Sequence, residues 1–178
     1  MTFEKTVTLK DGRNCLLRNG VTSDGKAVLD VFNRTHEETD YLLTYSDENC
    51  FTASQEADFL QRKTDSTNTV EIIAIVDGVV AGTAGIDALG MRDKIKHRAV
   101  FGIAITKEFW GLGIGKSLME ACIECAREAG YLQLELEVVA ENERAVEMYR
   151  RAGFIEYGRN PKAFRLRTGE YQELIDMR

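Results

Sequence analysis

The chain has 178 residues and a mass of 20.0 kDa, 44% of it hydrophobic and 29% charged, which suits one ordinary core and excludes both a disordered chain and two full domains. A net charge of −6 and a pI near 5.1 exclude a phosphate backbone as the main partner and point to a cationic or amine ligand. No apolar run approaches the roughly 20 residues of a membrane-spanning helix and no apolar leader opens the chain, so a cytoplasmic location is expected, with Cys15, Cys50, Cys122 and Cys125 as free thiols.

Residues 3–9 and 13–18 read as a hairpin around Asp11-Gly12. Val28, Val31, Phe32, Thr35 and Leu42 keep helical spacing from Asp24 toward Leu43, with a polar far end, and Ser54 followed by Glu56 and Ala57 predicts a second capped helix. The β-branched run 71–76, the turn pair Asp77-Gly78 and the segment 79–87 predict another hairpin. Ala99 to Thr106 is nearly all apolar, as expected of a strand buried on both faces.

The periodicity then changes. Leu118, Met119, Cys122, Ile123, Ala126 and Ala129 form one face of an amphipathic helix that Gly130 can end. Residues 132–139 alternate Leu134, Leu136 and Val138 with Glu135 and Glu137, which predicts a strand parallel to the previous one because a helix connects them. Asn142 caps a last helix, 143–152, with Gly153 as its stop, and the tail predicts two strands turning at Thr168-Gly169. With no linker or repeat, residues 1–178 read as a single domain.

The stretch 108–117, Glu-Phe-Trp-Gly-Leu-Gly-Ile-Gly-Lys-Ser, carries three alternate glycines between a strand and a helix. Glycines let main-chain N–H groups approach a ligand, and the helix N-terminus adds a positive dipole end, so the loop reads as a phosphate site. Trp110 stands where a nucleotide-triphosphate loop would have its first glycine, and Lys116 where a dinucleotide fingerprint would have its third, so neither pattern is met.

The loop resembles the core motif of the GCN5-related N-acetyltransferase (GNAT) family: Arg or Gln, two residues, Gly, one residue, then Gly or Ala. Gly113 and Gly115 match, and Trp110 replaces the Arg or Gln. Residues 142–154, Asn-Glu-Arg-Ala-Val-Glu-Met-Tyr-Arg-Arg-Ala-Gly-Phe, resemble the family's N-x-x-A-x-x-x-Y-x-x-x-G-F segment, and the likeness runs from about Glu71 to Tyr157. The implied fold is α/β of the α+β type: a mixed, mostly antiparallel sheet of about six or seven strands, one parallel pair at its centre and about four flanking helices.

The resemblance also implies transfer of an acetyl group from acetyl-coenzyme A to a primary amine by direct attack. Ile103, Ala104 and Ile105, the loop residues Trp110, Gly111, Leu112, Gly113, Ile114, Gly115, Lys116 and Ser117, and Asn142 and Tyr149 are then expected to bind the cofactor. The Ile105 N–H is the expected oxyanion donor and Tyr149 the general acid. Val100 occupies the place where relatives carry an acidic base, which leaves Glu135 and Glu137, with Glu137 taken as the base; each also reads as a solvated side chain.

Glu37, Glu38 and Asp40 lie where the family shapes its acceptor pocket, and Glu38 is taken as a substrate contact, although a solvated helix end explains these acids as well. Cys122 and Cys125 sit mid-helix without a second ligand pair and read as core rather than zinc ligands. His97, between Lys96 and Arg98, reads as a surface residue. The tail 164–177 resembles the C-terminal hairpin of bacterial members that acetylate free amino acids. The expected partner is a small amine, with no metal, nucleic acid or membrane, and a homodimer is possible to build from such a chain. Protein N-termini, lysine, polyamines and aminoglycosides are alternative acceptors; a coenzyme A-binding module without catalysis, or a phosphate-binding regulatory domain, are alternatives of another class.

Overall fold

The computed structural model describes all 178 residues. Eight strands and four α-helices follow in the order β1 (Glu4–Thr8), β2 (Asn14–Asn19), α1 (Gly25–Glu38), α2 (Ala53–Asp65), β3 (Val70–Val76), β4 (Val79–Ala88), β5 (Arg98–Ile105), α3 (Ile114–Glu128), β6 (Gln133–Val139), α4 (Glu143–Arg151), β7 (Glu156–Arg165) and β8 (Tyr171–Met177). They form one sheet in the order β1-β2-β3-β4-β5-β6-β8-β7. The count exceeds the expected six or seven because the N-terminal hairpin extends the same sheet, β2 pairing with β3.

All neighbours are antiparallel except β5 and β6, which pair in parallel only from Arg98 to Val100 against Gln133 to Glu135. Beyond that point β6 turns to β8, pairing Leu136 with Met177 and Val139 with Leu174. The sheet therefore splits at its centre, and the split positions everything that follows.

Side-chain parity assigns the two faces. Ile72, Ala74, Ala84, Ile86 and Phe101 pack with Leu118, Met119 and Cys122 of α3 and with Leu136 and Val138 in the main core. Ile73 and Val80, on the other face, pack with Val28 and Val31 of α1 and Leu60 of α2. Cys122 and Cys125 are fully buried, as their helical spacing predicts, and His97 is exposed.

Three local expectations change. The N-cap of α2 is Thr52, whose hydroxyl accepts from the Gln55 amide while Gln55 reaches back, so Ser54 lies inside the helix. Helix α1 ends at Glu38 because Thr39 is extended, and the polar run cannot bury another turn. Strand β5 is not buried on both faces: Val100 and Gly102 are exposed, because the sheet opens beside them. No helix is long and apolar enough to cross a membrane.

Candidate active site

The split holds a cleft of about 1160 Å³ that reaches from the β5–α3 connection to the α1–α2 loop and the β7–β8 hairpin. Its floor is main chain. Leu89 donates to Arg98 and Thr106 to Ala81, so the even-numbered residues of β5 bond to β4. Alternation then turns the N–H and C=O of Phe101, Ile103 and Ile105 toward β6, where no strand meets them after Val100. Apart from the Ile105 carbonyl, which the Trp110 indole takes, these unpaired amides and carbonyls are what an extended ligand strand would use.

At one end the chain enters α3 through Gly113, whose φ of +100° is open to glycine at little cost. The first helical bond is Ser117 N–H to Gly113 O, so the amides of Ile114, Gly115 and Lys116 have no helical acceptor. A side chain on Gly115 would press on Met148 Sδ of α4 at 3.1 Å and on Ile105 Cδ1 at 3.3 Å, so its absence lets the two arms of the split close together. Three orphan amides on a helix N-terminus, with Lys116, Arg144 and Arg151 lining the same cleft, are suited to phosphate.

Trp110 spans this end. Its indole N–H donates to Ile105 O at 2.7 Å, and its ring lies under the Arg144 guanidinium at 5.4 Å and the Lys107 ammonium at 5.8 Å. Replacing Arg or Gln with Trp therefore ties up one carbonyl of the floor and leaves the Ile105 N–H facing the cleft.

Tyr149 enters from α4. Its ring is buried edge-on against Phe101 at 6.1 Å and Phe154 at 5.9 Å, and its hydroxyl has no hydrogen-bond partner in the protein. Burial pushes its pKa well above the usual phenol value. Asn142 caps α4 through Oδ1 to the Ala145 amide at 3.3 Å and also lines the cleft.

The residues expected at the cofactor line the cleft except two. The Leu112 carbonyl is taken by the Lys10 amide at 3.1 Å and its side chain packs on the core, and Ser117 spends its N–H inside α3. Glu137 is exposed on the cleft wall. Glu135 is not solvated, as its alternation had allowed. It is buried in a bidentate pair with Arg98, Nη2 at 2.6 Å from Oε2, and accepts from Gln133 and, at 3.4 Å, from the Tyr157 hydroxyl. The Arg98 guanidinium holds its carboxyl below the usual range, so it is a poor proton acceptor at neutral pH.

Glu38 is engaged as well. One oxygen bonds Arg34 Nε at 3.0 Å and the other accepts from the Lys107 amide at 2.6 Å, so it pins α1 to the end of β5 and is no free contact for an ammonium. Two features escaped the sequence. The Arg98–Glu135–Tyr157 group joins three strands, and only the acids alternating through an otherwise apolar strand signalled it. The other is a strap that ties the α1–α2 loop to the β7–β8 hairpin. The Arg167 amide donates to the Tyr45 hydroxyl at 3.1 Å, its guanidinium pairs with Asp47 at 2.7 Å and lies 4.1 Å over the Tyr45 ring. Residues 122 positions apart carry no local signal of this kind.

The acetyltransferase (GNAT) family profile matches residues 28–154, most of the chain. The chain belongs to the GNAT acetyltransferase family. Among relatives, the L-amino acid N-acetyltransferase AaaT of Escherichia coli K12 is 32% identical over 118 residues, 66% of this chain and 72% of that protein. A GNAT-family acetyltransferase of Streptococcus pneumoniae superposes with a TM-score of 0.87 at 29% identity, over 92% of this chain and 97% of that one. The fold is also that of yncA from Salmonella typhimurium, solved with its cofactor acetyl-CoA, at a TM-score of 0.81 and 16% identity over 92% of each chain.

Proposed function

We propose that residues 1–178 act as one acetyltransferase domain that moves an acetyl group from acetyl-CoA to the primary amine of a small molecule, with an amino acid carrying an apolar side chain as the first acceptor class. The observation that carries this reading is the cleft itself. One end has orphan amides and cations suited to phosphates; the other is lined by Tyr41, Leu42, Leu43, Leu89, Val100 and Phe164, and the Tyr45–Asp47–Arg167 strap ties together the two segments that supply Leu43 and Phe164. A strapped, apolar pocket accepts a small amine more readily than a folded protein surface. The amino-acid activity named for AaaT supports the same class.

Bound in the split, acetyl-CoA would supply an activated acyl group as a thioester. The unpaired main chain of Phe101 and Ile103 would pair with an extended ligand, and the amides of Ile114, Gly115 and Lys116 would hold its phosphates. The Ile105 N–H would stabilise negative charge developing on the thioester carbonyl oxygen, a donor of a kind worth about 3 kcal/mol in other enzymes. The Tyr149 hydroxyl, without a protein partner, would give its proton to the departing thiolate. Its raised pKa keeps it loaded at every working pH, and the dry surroundings that disfavour the phenolate also disfavour the thiolate.

The test is thiol release from acetyl-CoA with catalytic protein and a panel of amino acids, polyamines, aminoglycosides and peptide N-termini. Release that depends on an apolar amino acid supports the reading. Release only with a peptide or polyamine moves the acceptor class. Tight acetyl-CoA binding without release favours a non-catalytic module.

A further inference from the structure

One acid on the acceptor face has no place in the account so far. Glu71 of β3 faces α1 and α2, in a strand otherwise made of Val, Ile and Ala. In register it stands opposite Gly85 of β4, and Gly85 stands opposite Gly102 of β5. A Cβ built on Gly85 would collide with Glu71 Oε2, so the carboxylate fills the space that a side chain there would take. A Cβ on Gly102 meets nothing within 4 Å, and Gly102 lines the cleft. Neither Gly85 nor Gly102 therefore puts a side chain of its own between the carboxylate and the cleft floor. Neighbouring strands lie about 4.8 Å apart, so one water spans the gap between the carboxylate above Gly85 and the open space above Gly102.

We propose that Glu71 is the proton acceptor for the amine substrate, taking the ammonium proton through a water held over Gly85 and Gly102. This rests on the acetyltransferase reading above and fills the position that Val100 leaves without an acid.

The surroundings suit the task. From α2, Lys63 and Glu56 face Glu71; from β4, Asp87 and Thr83; from across the sheet, Cys122 of α3 senses its charge; toward β2 the neighbour is Gly20, whose amide bonds the Glu71 carbonyl at 2.9 Å. Lys63 is itself engaged, its ammonium 2.6 Å from Asp87 Oδ2 and 3.3 Å from Ile86 O, so it does not neutralise Glu71 fully. Burial, the largest influence, raises the Glu71 pKa to about 7, against Lys63 and Thr83 that lower it and Asp87 and Glu56 that raise it further. A carboxyl of that pKa is half-ionised at working pH and matched to proton transfer.

The step balances. The ammonium gives one proton through the water to the Glu71 carboxylate; the free amine forms the C–N bond as the C–S bond breaks; Tyr149 protonates the thiolate, and the second amine proton leaves to solvent and restores the phenol. The products are the amide, the free thiol and one net proton, which Glu71 releases.

The experiment is a pH series of kcat/KM for thiol release, from about pH 5 to 9.5, on the wild type, Glu71→Gln and Gly102→Ala, with acetyl-CoA affinity read from Trp110 fluorescence. The wild type is expected to lose activity on the acid side with an apparent pKa near 7. Glu71→Gln is expected to lose that limb, to fall about 100-fold in kcat at neutral pH, to approach the wild type where the amine deprotonates unaided, and to bind acetyl-CoA unchanged. Gly102→Ala, at a position with room for a methyl, is expected to weaken the same limb by displacing the water. An acid limb that persists in Glu71→Gln overturns the proposal; should that variant not fold, an unchanged limb in Gly102→Ala, or a wild type without a limb near 7, overturns it equally. Failure of the acetyltransferase reading has a different signature, since the wild type then releases no thiol with any amine.

Discussion

The two ends of the cleft are made of different material. The end between β5 and α3 works through main chain: unpaired groups of Phe101, Ile103 and Ile105, a left-handed Gly113 and the amides that open α3. The other end is made of side chains drawn from distant segments: Tyr41, Leu42 and Leu43 from the α1–α2 loop, Phe164 from β7 and Glu135 from β6. A main-chain site tolerates side-chain change, which is how Trp110 can stand in the motif, whereas a side-chain site is open to retuning for a new acceptor. The contrast accounts for a fold shared with many acetyltransferases and an acceptor that each must define for itself.

Tyr149, contributed by α4 between the two ends, gives the sharpest way to break the contrast. Tyr149→Phe is expected to lower kcat about 100-fold or more while leaving acetyl-CoA affinity and thermal stability near the wild type, because the ring packing stays and the hydroxyl bonds nothing. A variant that keeps full kcat would remove the phenol from the reaction.

At the main-chain end, Gly113→Val forces a β-branched residue to φ near +100° and should weaken acetyl-CoA binding at least tenfold and cost about 2 kcal/mol of stability. Isothermal titration and chemical denaturation read the two effects separately. Lys116→Ala should be much milder, with a shallower salt dependence of binding, since it removes a charge and no amide.

At the side-chain end, Arg98→Met leaves Glu135 buried without its partner and should lower stability by about 2 kcal/mol. The sign of the pH effect follows from the lowered pKa of Glu135. Its contribution is fully present above the usual carboxylate range and is lost as pH falls through the folded value, so wild type and variant should converge in acid.

Arg167→Ala opens the strap. It should raise KM for the amine a few-fold with little change in kcat or acetyl-CoA affinity, because an exposed ion pair contributes about 1 kcal/mol or less. The smallest effect concerns Glu71, whose pKa is raised. The wild type loses stability as pH rises from the ordinary carboxylate range through about 7, so Glu71→Gln should match it at pH 5 and melt higher at pH 8.

Much of this architecture is written in local pattern. The Asp77-Gly78 hairpin, with both residues at positive φ, the amphipathic face of α3 and the Asn142 cap depend on residues within one turn or one strand. Helical spacing alone reads Tyr149 as a packed core aromatic, and only the motif singles it out for the site. The β5 run was misread for a physical reason: a strand lining a cleft and a strand buried on both faces are equally apolar, and only the divergence of β6 tells them apart. The engagement of Glu135 was not legible because Arg98, the partner that holds its charge, lies 37 residues away, and the Lys107 amide that Glu38 accepts from lies 69 away.

By itself, then, the amino-acid sequence determined the order of elements, which is encoded in short-range periodicity, capping and glycine placement, and carried the two motifs that resemble the family. The tertiary structure decided which acids are engaged. It alone lined up Glu71, Gly85 and Gly102 across three strands and brought Arg167 to Tyr45, because register and long-range packing set the solvation and partners of a charge, and no local pattern records them.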